Sequence, residues 1–520
     1  MSTALNGNDE GTFCLVLHSH LPWLLHHGSW PVGEEWLYQA WTHSYLRVFD
    51  LLRKFADEGR RDLLTLGVTP VLAAQLDDPY ALRGVQEWIG HWQLRVQQAA
   101  VRWRDDPLLR ELAVAEHKAA IAAAEHLETD WRHGLSPVLR PLVDDGVIEL
   151  LGGPLTHPFQ PLLADPVRDF ALAEGLADTR LRIGHRPEGI WAPECGYKPG
   201  LEAAYAAAGV RRFLVDGPAL RGRTHVARPV GDTDVLCFGR DLDVTYRVWS
   251  PKAGYPGHPA YRDFHTWDHA VGIKPSRVTG KRVPPPDKAP YDQDRAAQAV
   301  HSHVKDFVET VLLRLRKLRA EHGRPALVIA AYDTELFGHW WHEGPMWLEG
   351  VLRALPEAGV RVTTLRGATE AGHVGEPVEL PASSWGSGKD WRVWDGEQVA
   401  DMVDSNARLQ QRLLRTMASL RAAGRATADV RDPAADQLVR EALLALSSDW
   451  AFMVTKDSAA DYARHRAAEH TTRFTRLADA LDAADTERAA ALARGQLAAD
   501  HPFGQLDARR LQRSETSCVS

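Results

Sequence analysis

Eight short, nearly continuous apolar runs punctuate the first 370 residues, and most of the gaps between them carry helical patterns. The runs are FCLVLH (13–18), LLTLGVT (63–69), VIELLGG (147–153), GIWAPE (189–194), RRFLVDG (211–217), VTYRVWS (244–250), ALVIAAYD (326–333) and VRVTTL (360–365). A run of this length without polar alternation is a strand buried on both faces, as in parallel sheets. Segments such as LEAAYAAAG (201–209) and VKDFVETVLLRLRKLRAEHG (304–323) read as the helices between. Strand–helix alternation predicts a parallel sheet clothed in helices. Seven or eight such units point to a closed or nearly closed β/α barrel, with a doubly wound open sheet as the alternative. Polar groups gather where the runs stop: His18 and His20, Gly152–Pro154, Glu194 and Asp333. In a β/α barrel those strand ends form the rim that carries chemistry.

The rest of the 520-residue chain divides by pattern. A barrel spanning 10–400 is expected. Residues 78–140 are charged, contain Trp and show helical spacing without a strand signal, so they read as a helical insertion. Residues 251–292 are rich in Pro, Gly, His and Tyr and read as a long loop, a length usually tied to function. From 402 to 510 apolar residues recur at three and four, which predicts a separate all-helical domain. The tail from 509 reads as frayed. The net charge of -8 argues against nucleic acid and against a polybasic membrane contact. The N-terminus lacks an apolar signal core, and no apolar stretch is long enough to span a bilayer. Cys14, Cys195, Cys237 and Cys518 are too few and scattered for a disulfide framework, so a cytoplasmic location fits best. Tryptophan is over-used, 18 against 13 Phe and 11 Tyr, and broad indole faces suit sugar rings.

Two carboxylates stand out. Glu194 ends an apolar strand among Trp191, Pro193, Cys195 and Tyr197, poorly hydrated company for a charge. A buried glutamate paired with a barrel arginine is the alternative reading. Asp333 opens a dense segment, DTELFGHWWHEG, in which Glu335 and Glu343 are competing acids. Its His339, His342 and Glu343 match neither zinc-protease spacing. Two carboxylates on different strands suit glycosidic chemistry, provided their surroundings separate their pKa values. His18 and His20, at i and i+2 on a strand, face the same way. They could ligate a metal, but hydrogen bonding to sugar hydroxyls or to a catalytic carboxylate fits better. Trp385, Trp391 and Trp394 lie in SSWGSGKDWRVWDG (383–396), where Gly and Ser rather than aliphatics surround them.

Taken together, these motifs resemble glycoside hydrolase family 57, most closely its 1,4-α-glucan branching enzymes. The matching segments are LHSHLPW (17–23) with GSWPVGEEWLYQA (28–40), LLGGPLTHPFQPLL (150–163), GIWAPECGY (189–197), AAYDTELFGHWWHEGP (330–345), the stretch after VRVTTLRGATE (360–370), and LLALSSDWAFMVT (443–455). The resemblance implies a (β/α)7 barrel, a distorted TIM-like form, with a helical insertion and a C-terminal helical domain. It implies a retaining double displacement without metal or other cofactor, with Glu194 as nucleophile and Asp333 as acid/base. The two carboxyls are then expected about 5–5.5 Å apart. His18, Trp36, Trp249, Trp385 and Trp394 match positions lining sugar subsites, and His20, His157, His339 and Asp390 join them as substrate-binding candidates. The implied partner is an α-1,4-glucan, amylose- or glycogen-like; oligomeric state is not indicated.

One stretch departs from the family. Its branching enzymes carry a flexible, tyrosine-tipped loop that shields the intermediate from water. The corresponding segment here, 216–241, is shortened, lacks Tyr, and carries Arg221, Arg223 and His225. An α-amylase or 4-α-glucanotransferase on the same scaffold is therefore the alternative activity.

Overall fold

The computed structural model describes residues 10–250 and 252–511. Among the described residues nine strands form one sheet: β1 (Gly11–Ser19), β2 (Leu64–Val68), β3 (Ile148–Gly152), β4 (Gly189–Ile190), β5 (Arg212–Asp216), β6 (Arg228–Pro229), β7 (Leu236–Arg240), β8 (Leu327–Asp333) and β9 (Val360–Thr363). Seven of them run parallel in the order β8-β1-β2-β3-β4-β5-β7. β6 is a short antiparallel addition to β7. A strand has two edges. β8 covers one edge of β1 along Thr12–His18, while β2 and β9 share the other, at Val16–Ser19 and Gly11–Cys14. The amide of Asp241, just past β7, donates to the carbonyl of Ile329 in β8 at 2.8 Å and draws the two ends of the sheet together. The result is the (β/α)7 barrel expected. β1 and β2 are buried along their whole length, which is why they show no polar alternation.

One expected strand is wrong. VTYRVWS (244–250) belongs to a helix, Leu242–Trp249, and the strand is the preceding LCFGR of β7. The β-branched residues suggested an extended run. Two local features decide otherwise: Asp241 caps the helix at the Val244 amide, and Val244, Thr245 and Val248 are buried one helical turn apart.

Between β2 and β3 the chain builds two long helices, Pro79–Arg102 and Pro107–Glu128. Each starts with the same device, Asp then Pro. The aspartate accepts from an exposed amide of the first turn, Asp78 from Tyr80 at 2.8 Å and Asp106 from Leu108 at 2.9 Å. Proline fills a position whose N–H has no partner anyway. Asp432 and Pro433 repeat it in the C-terminal part, where the helices are Ala400–Ala422, Pro433–Ala445, Ser448–Lys456, Ala460–Asp482 and Thr486–Leu497. Their buried faces and the barrel's N-terminal segments form one continuous apolar cluster, joining Trp23 and Leu24 to Leu409, Leu443 and Leu506.

The 252–292 stretch is irregular, held by short turns and isolated pairings such as Arg262 with Arg277. The chain does not fray at 509. Ala508–Arg510 forms a turn, and Arg510 reaches Glu174 at 2.9 Å. The remainder of that tail, with Cys518, lies outside the described residues. Cys14, Cys195 and Cys237 are free thiols. Among the described residues no helix is long and apolar enough to cross a membrane.

Candidate active site

Glu194 follows β4 in a left-handed backbone conformation, φ 61°, and Cys195 repeats it at φ 50°. For a side chain with a Cβ this costs of order 1–3 kcal/mol and persists only where the surroundings impose it. Here they do so from two directions. Trp385 donates twice, backbone N to the Glu194 carbonyl at 2.9 Å and Nε1 to Oε2 at 2.8 Å. Ser448, at the start of a C-terminal helix, donates its hydroxyl to Oε1 at 2.8 Å. Burial pushes the Glu194 carboxyl up to about 7, with Asp449 adding to the rise and the Trp385 and Ser448 bonds opposing it.

Asp333 ends β8, in register with His18 on β1. Burial raises its carboxyl well above the usual range, and the carboxylates of Glu335 and Glu194 raise it further. Among the described residues none donates a hydrogen bond to it. The competing acids are accounted for differently. Glu335 is locked by the His20 amide at 3.0 Å and by the Tyr45 hydroxyl. Glu343 faces away, accepting from Tyr291 at 2.7 Å and from the Arg262 amide at 3.0 Å.

The histidines form a column beside this pair. His18 lies flat on Trp191, centroids 4.4 Å apart, and His20 stacks on His157 at 3.8 Å. His20 Nδ1 meets Thr69 at 2.9 Å, and its Nε2 meets Asp449 at 2.9 Å. Burial pushes the His20 pKa down, but the Asp449 carboxylate outweighs it and the net shift is upward. His18 and His157 lie well below the ordinary value: burial dominates, neighbouring histidines add to the fall, and at His157 the Asp449 carboxylate opposes it without overcoming it. His157 Nδ1 bonds the Ser448 hydroxyl at 3.0 Å, while both ring nitrogens of His18 are buried without a partner. Ligand atoms of His20, His157 and Asp449 lie within 4.8 Å of one another, a spacing a cation could bridge.

Of the other expected residues, Trp385 is at the centre. Trp249 is 37 % exposed and pairs with Trp340 at 6.2 Å. Trp36 is half-buried near Tyr462 of the helical part. Asp390 is engaged with Arg392. Trp394 is buried and lies flat on Phe159 at 4.8 Å, a packing position rather than a free platform. His339 lines a separate cavity, described below.

Ser448 and Asp449 were not singled out by sequence. A Ser-Ser-Asp opening a helix reads as a cap, and these residues sit some 250 positions from Glu194. Only the structure sets them apart: Ser447 makes no side-chain cap bond and instead bonds Asp449.

The 216–241 segment lies down on the barrel. A short turn, Gly217–Leu220, leads into backbone bonds with the 373–378 stretch: Ala227 to His373 at 2.9 Å, and Gly231 to Val378 at 3.1 Å.

Comparison with known proteins bears on the family and the fold. The model of glycosyl hydrolase family 57 matches residues 14–254, and that of the C-terminal part of 1,4-alpha-glucan branching enzymes matches 409–510. A probable 1,4-alpha-glucan branching enzyme of Mycobacterium tuberculosis is 58% identical over 518 residues, covering 96% of this chain and 98% of its own. The crystal structure of a branching enzyme of the same family from Thermococcus kodakaraensis, solved with glucose, superposes with TM-score 0.90 at 29% identity over 97% of both chains. An alpha-amylase from Thermotoga maritima gives 0.84 at 26% identity, over 97% of this chain and 99% of its own. With a relative this similar across nearly its whole length, the chain belongs to glycoside hydrolase family 57, among the 1,4-alpha-glucan branching enzymes.

Proposed function

We propose that the protein is a retaining 1,4-α-glucan branching enzyme acting on an α-glucan polysaccharide, with Glu194 as nucleophile and Asp333 as acid/base. The observation that carries the roles is the asymmetry between the carboxyls. Two donors stabilise charge on Glu194, whereas Asp333 has none and feels two neighbouring carboxylates. Glu194 therefore ionises first, and Asp333 keeps its proton. That is the separation a double displacement requires.

Glu194 attacks C1 of an α-1,4-linked glucose, the C1–O4 bond breaks, and the Asp333 proton goes to O4. The glucan chain is then an ester on Glu194. Asp333, now a carboxylate, takes the proton of an acceptor 6-hydroxyl. The O6 displaces Glu194 from C1 and leaves an α-1,6 branch. The unpartnered ring nitrogens of His18 are suited to sugar hydroxyls beside that carbon.

The 216–241 segment, which lacks Tyr and is tied to the 373–378 stretch, favours a second outcome, hydrolysis, in which water reaches the ester. Incubation with amylose distinguishes the two. New reducing ends that appear only after isoamylase debranching establish branching; ends that appear beforehand, with none added, establish a hydrolase. Glu194→Gln is expected to abolish turnover. Asp333→Asn should lower it roughly 10²–10⁴-fold, and near-full activity in either variant would overturn the roles.

A further inference from the structure

A cavity of about 380 Å³ opens beyond the Asp333 loop, and neither Glu194 nor Asp333 lines it. Its walls are the two inserted helices, the stretch from Glu35 to Arg47, residues 262–274, and Gly338 to His342. The volume falls in the range that holds small ligands. Trp88, Trp92, Phe264 and Trp267 supply aromatic surface, and Ala115, Ala119, Ala122 and Ala123 of the Pro107–Glu128 helix add a shallow slope. Such a slot accepts a flat ring.

Its charges are not all paired within the cavity. Glu116 is met by Arg262 and by Trp92 at 2.9 Å, and Asp263 by Lys288 at 2.8 Å; Glu35 bonds Gln39 at 3.0 Å, and the exposed Asp50 reaches His126 at 3.9 Å. Three cations of the lining pair with none of these acids. Among the described residues Arg47, Arg95 and Lys274 form no ion pair with a carboxylate. Lys274 Nζ rests instead 3.7 Å from the centre of the Phe264 ring and 4.6 Å from that of Trp267. Arg95 lies over Trp88 at 5.5 Å, and its Nε is buried with no partner. A Cβ on Gly272, two residues before Lys274, would lie 3.4 Å from an Arg95 guanidinium nitrogen, so the two cations approach the same end of the slot. His339, whose ring lies 5.6 Å from that of Phe264, also lines the cavity, and its Nδ1 is buried without a partner. Burial lowers the Lys274 ammonium to about 7, the expected state of a cation lacking a counter-ion.

We infer that this cavity binds an anionic sugar, its ring against the tryptophan wall and its phosphate or carboxylate held by Lys274 and Arg95. The ligand supplies what the site lacks, a negative group for two desolvated cations and hydroxyls for His339. The site shares a wall with the catalytic loop. The π-helical turn Trp41–Tyr45 presents His43 to the cavity, while its Ser44 and Tyr45 bond Thr334 and Glu335. π-turns of this kind recur at functional sites.

Calorimetric titration of the full chain tests this without turnover, so its outcome is independent of the branching assignment. The probes are glucose 6-phosphate, glucuronate, maltose and inorganic phosphate. We expect at least one of the two anionic sugars to bind ten or more times more tightly than maltose or phosphate; which of the two does so identifies the anionic group. Lys274→Met and Arg95→Met should each weaken that binding at least tenfold. If one variant fails to fold, the other carries the test. Equal binding of maltose would overturn the anionic part, equal binding of phosphate the sugar part, and undiminished binding by the folded variants the location. No binding of either anionic sugar would overturn the whole.

Discussion

Ser448 has one hydroxyl proton and gives it to Glu194, with His157 Nδ1 at its other side. Removing it leaves a buried carboxylate with one donor fewer. Hydrogen bonds to charged groups contribute about 1.5–3 kcal/mol. Ser448→Ala should therefore raise the Glu194 pKa above its present value of about 7. The nucleophile must be ionised, so the acid limb of the kcat/KM profile is expected to move to higher pH, with a loss near neutrality of roughly tenfold to a hundredfold. A pH–rate series on amylose measures this; an unmoved acid limb would mean that Ser448 does not set the charge on Glu194. Glu194 and Asp333 could be picked from sequence because each ends an apolar run, where a carboxylate is out of place unless it has a task. Ser448 could not, because nothing local marks a serine whose partner is brought in by folding.

At the scale of elements, the helix Leu242–Trp249 shows how one residue overrules propensity. Its sequence favours a strand, yet Asp241 caps it and also takes the Arg314 guanidinium at 2.8 Å and the Thr224 hydroxyl at 3.3 Å. Asp241 is buried, so Asp241→Ala removes the cap and leaves Arg314 without its buried partner. The expected cost is about 3 kcal/mol, read as a lower chemical-denaturation midpoint. The helix also carries Trp249, so glucan affinity should fall as well. The Asp333 loop depends on a different constraint. Gly338 has φ +106°, and a Cβ there would stand 1.9 Å from the His43 carbonyl oxygen. Only glycine lets the loop lie against the π-helical turn that bonds Thr334 and Glu335. Most of the strands were within reach of sequence because burial on both faces leaves a compositional trace. The π-turn left none, because a one-residue widening of a helix changes no periodicity that a short segment can reveal.

Across the whole molecule, the helical part is bound to the barrel by a buried network as well as by the shared apolar cluster. His27, in the segment after β1, meets Glu469 at 2.9 Å and Asp500 at 2.7 Å, and Arg473 joins both acids. The His27 bond holds the Glu469 carboxyl at about 2. Asp500 is likewise held below the usual range, its partners His27, His470 and Arg473 outweighing burial, while burial and the Asp500 carboxylate push the adjacent Glu441 well above it. Both depressed groups have folded pKa values below their unfolded ones. The stability they contribute is complete above about pH 5 and is lost as pH falls through 4 toward 2. Denaturant unfolding at pH 7, 5 and 3 should show the loss between the last two. Asp500→Asn should be less stable at pH 7 and should lose less on acidification; an unchanged pH slope would place the acid sensitivity elsewhere.

By itself the sequence determined the strand–helix alternation, the helical additions and the candidate carboxylates; the choice of a (β/α)7 barrel over an open sheet, and of Glu194 and Asp333 over Glu335 and Glu343, rested on the resemblance to the family. The local features follow from periodicity, from caps such as Asp78–Pro79, and from charged groups at the ends of apolar runs. The tertiary structure alone decided what makes the two carboxylates differ. The donors to Glu194 come from a loop and from a helix far along the chain, and Asp333 is raised by burial, by Glu335 two residues on, and by Glu194, which the barrel brings over from the end of β4. It also decided which polar groups lack partners, at His18 and in the Lys274 cavity. Desolvation and charge proximity depend on distances in space, and sequence spacing does not encode them.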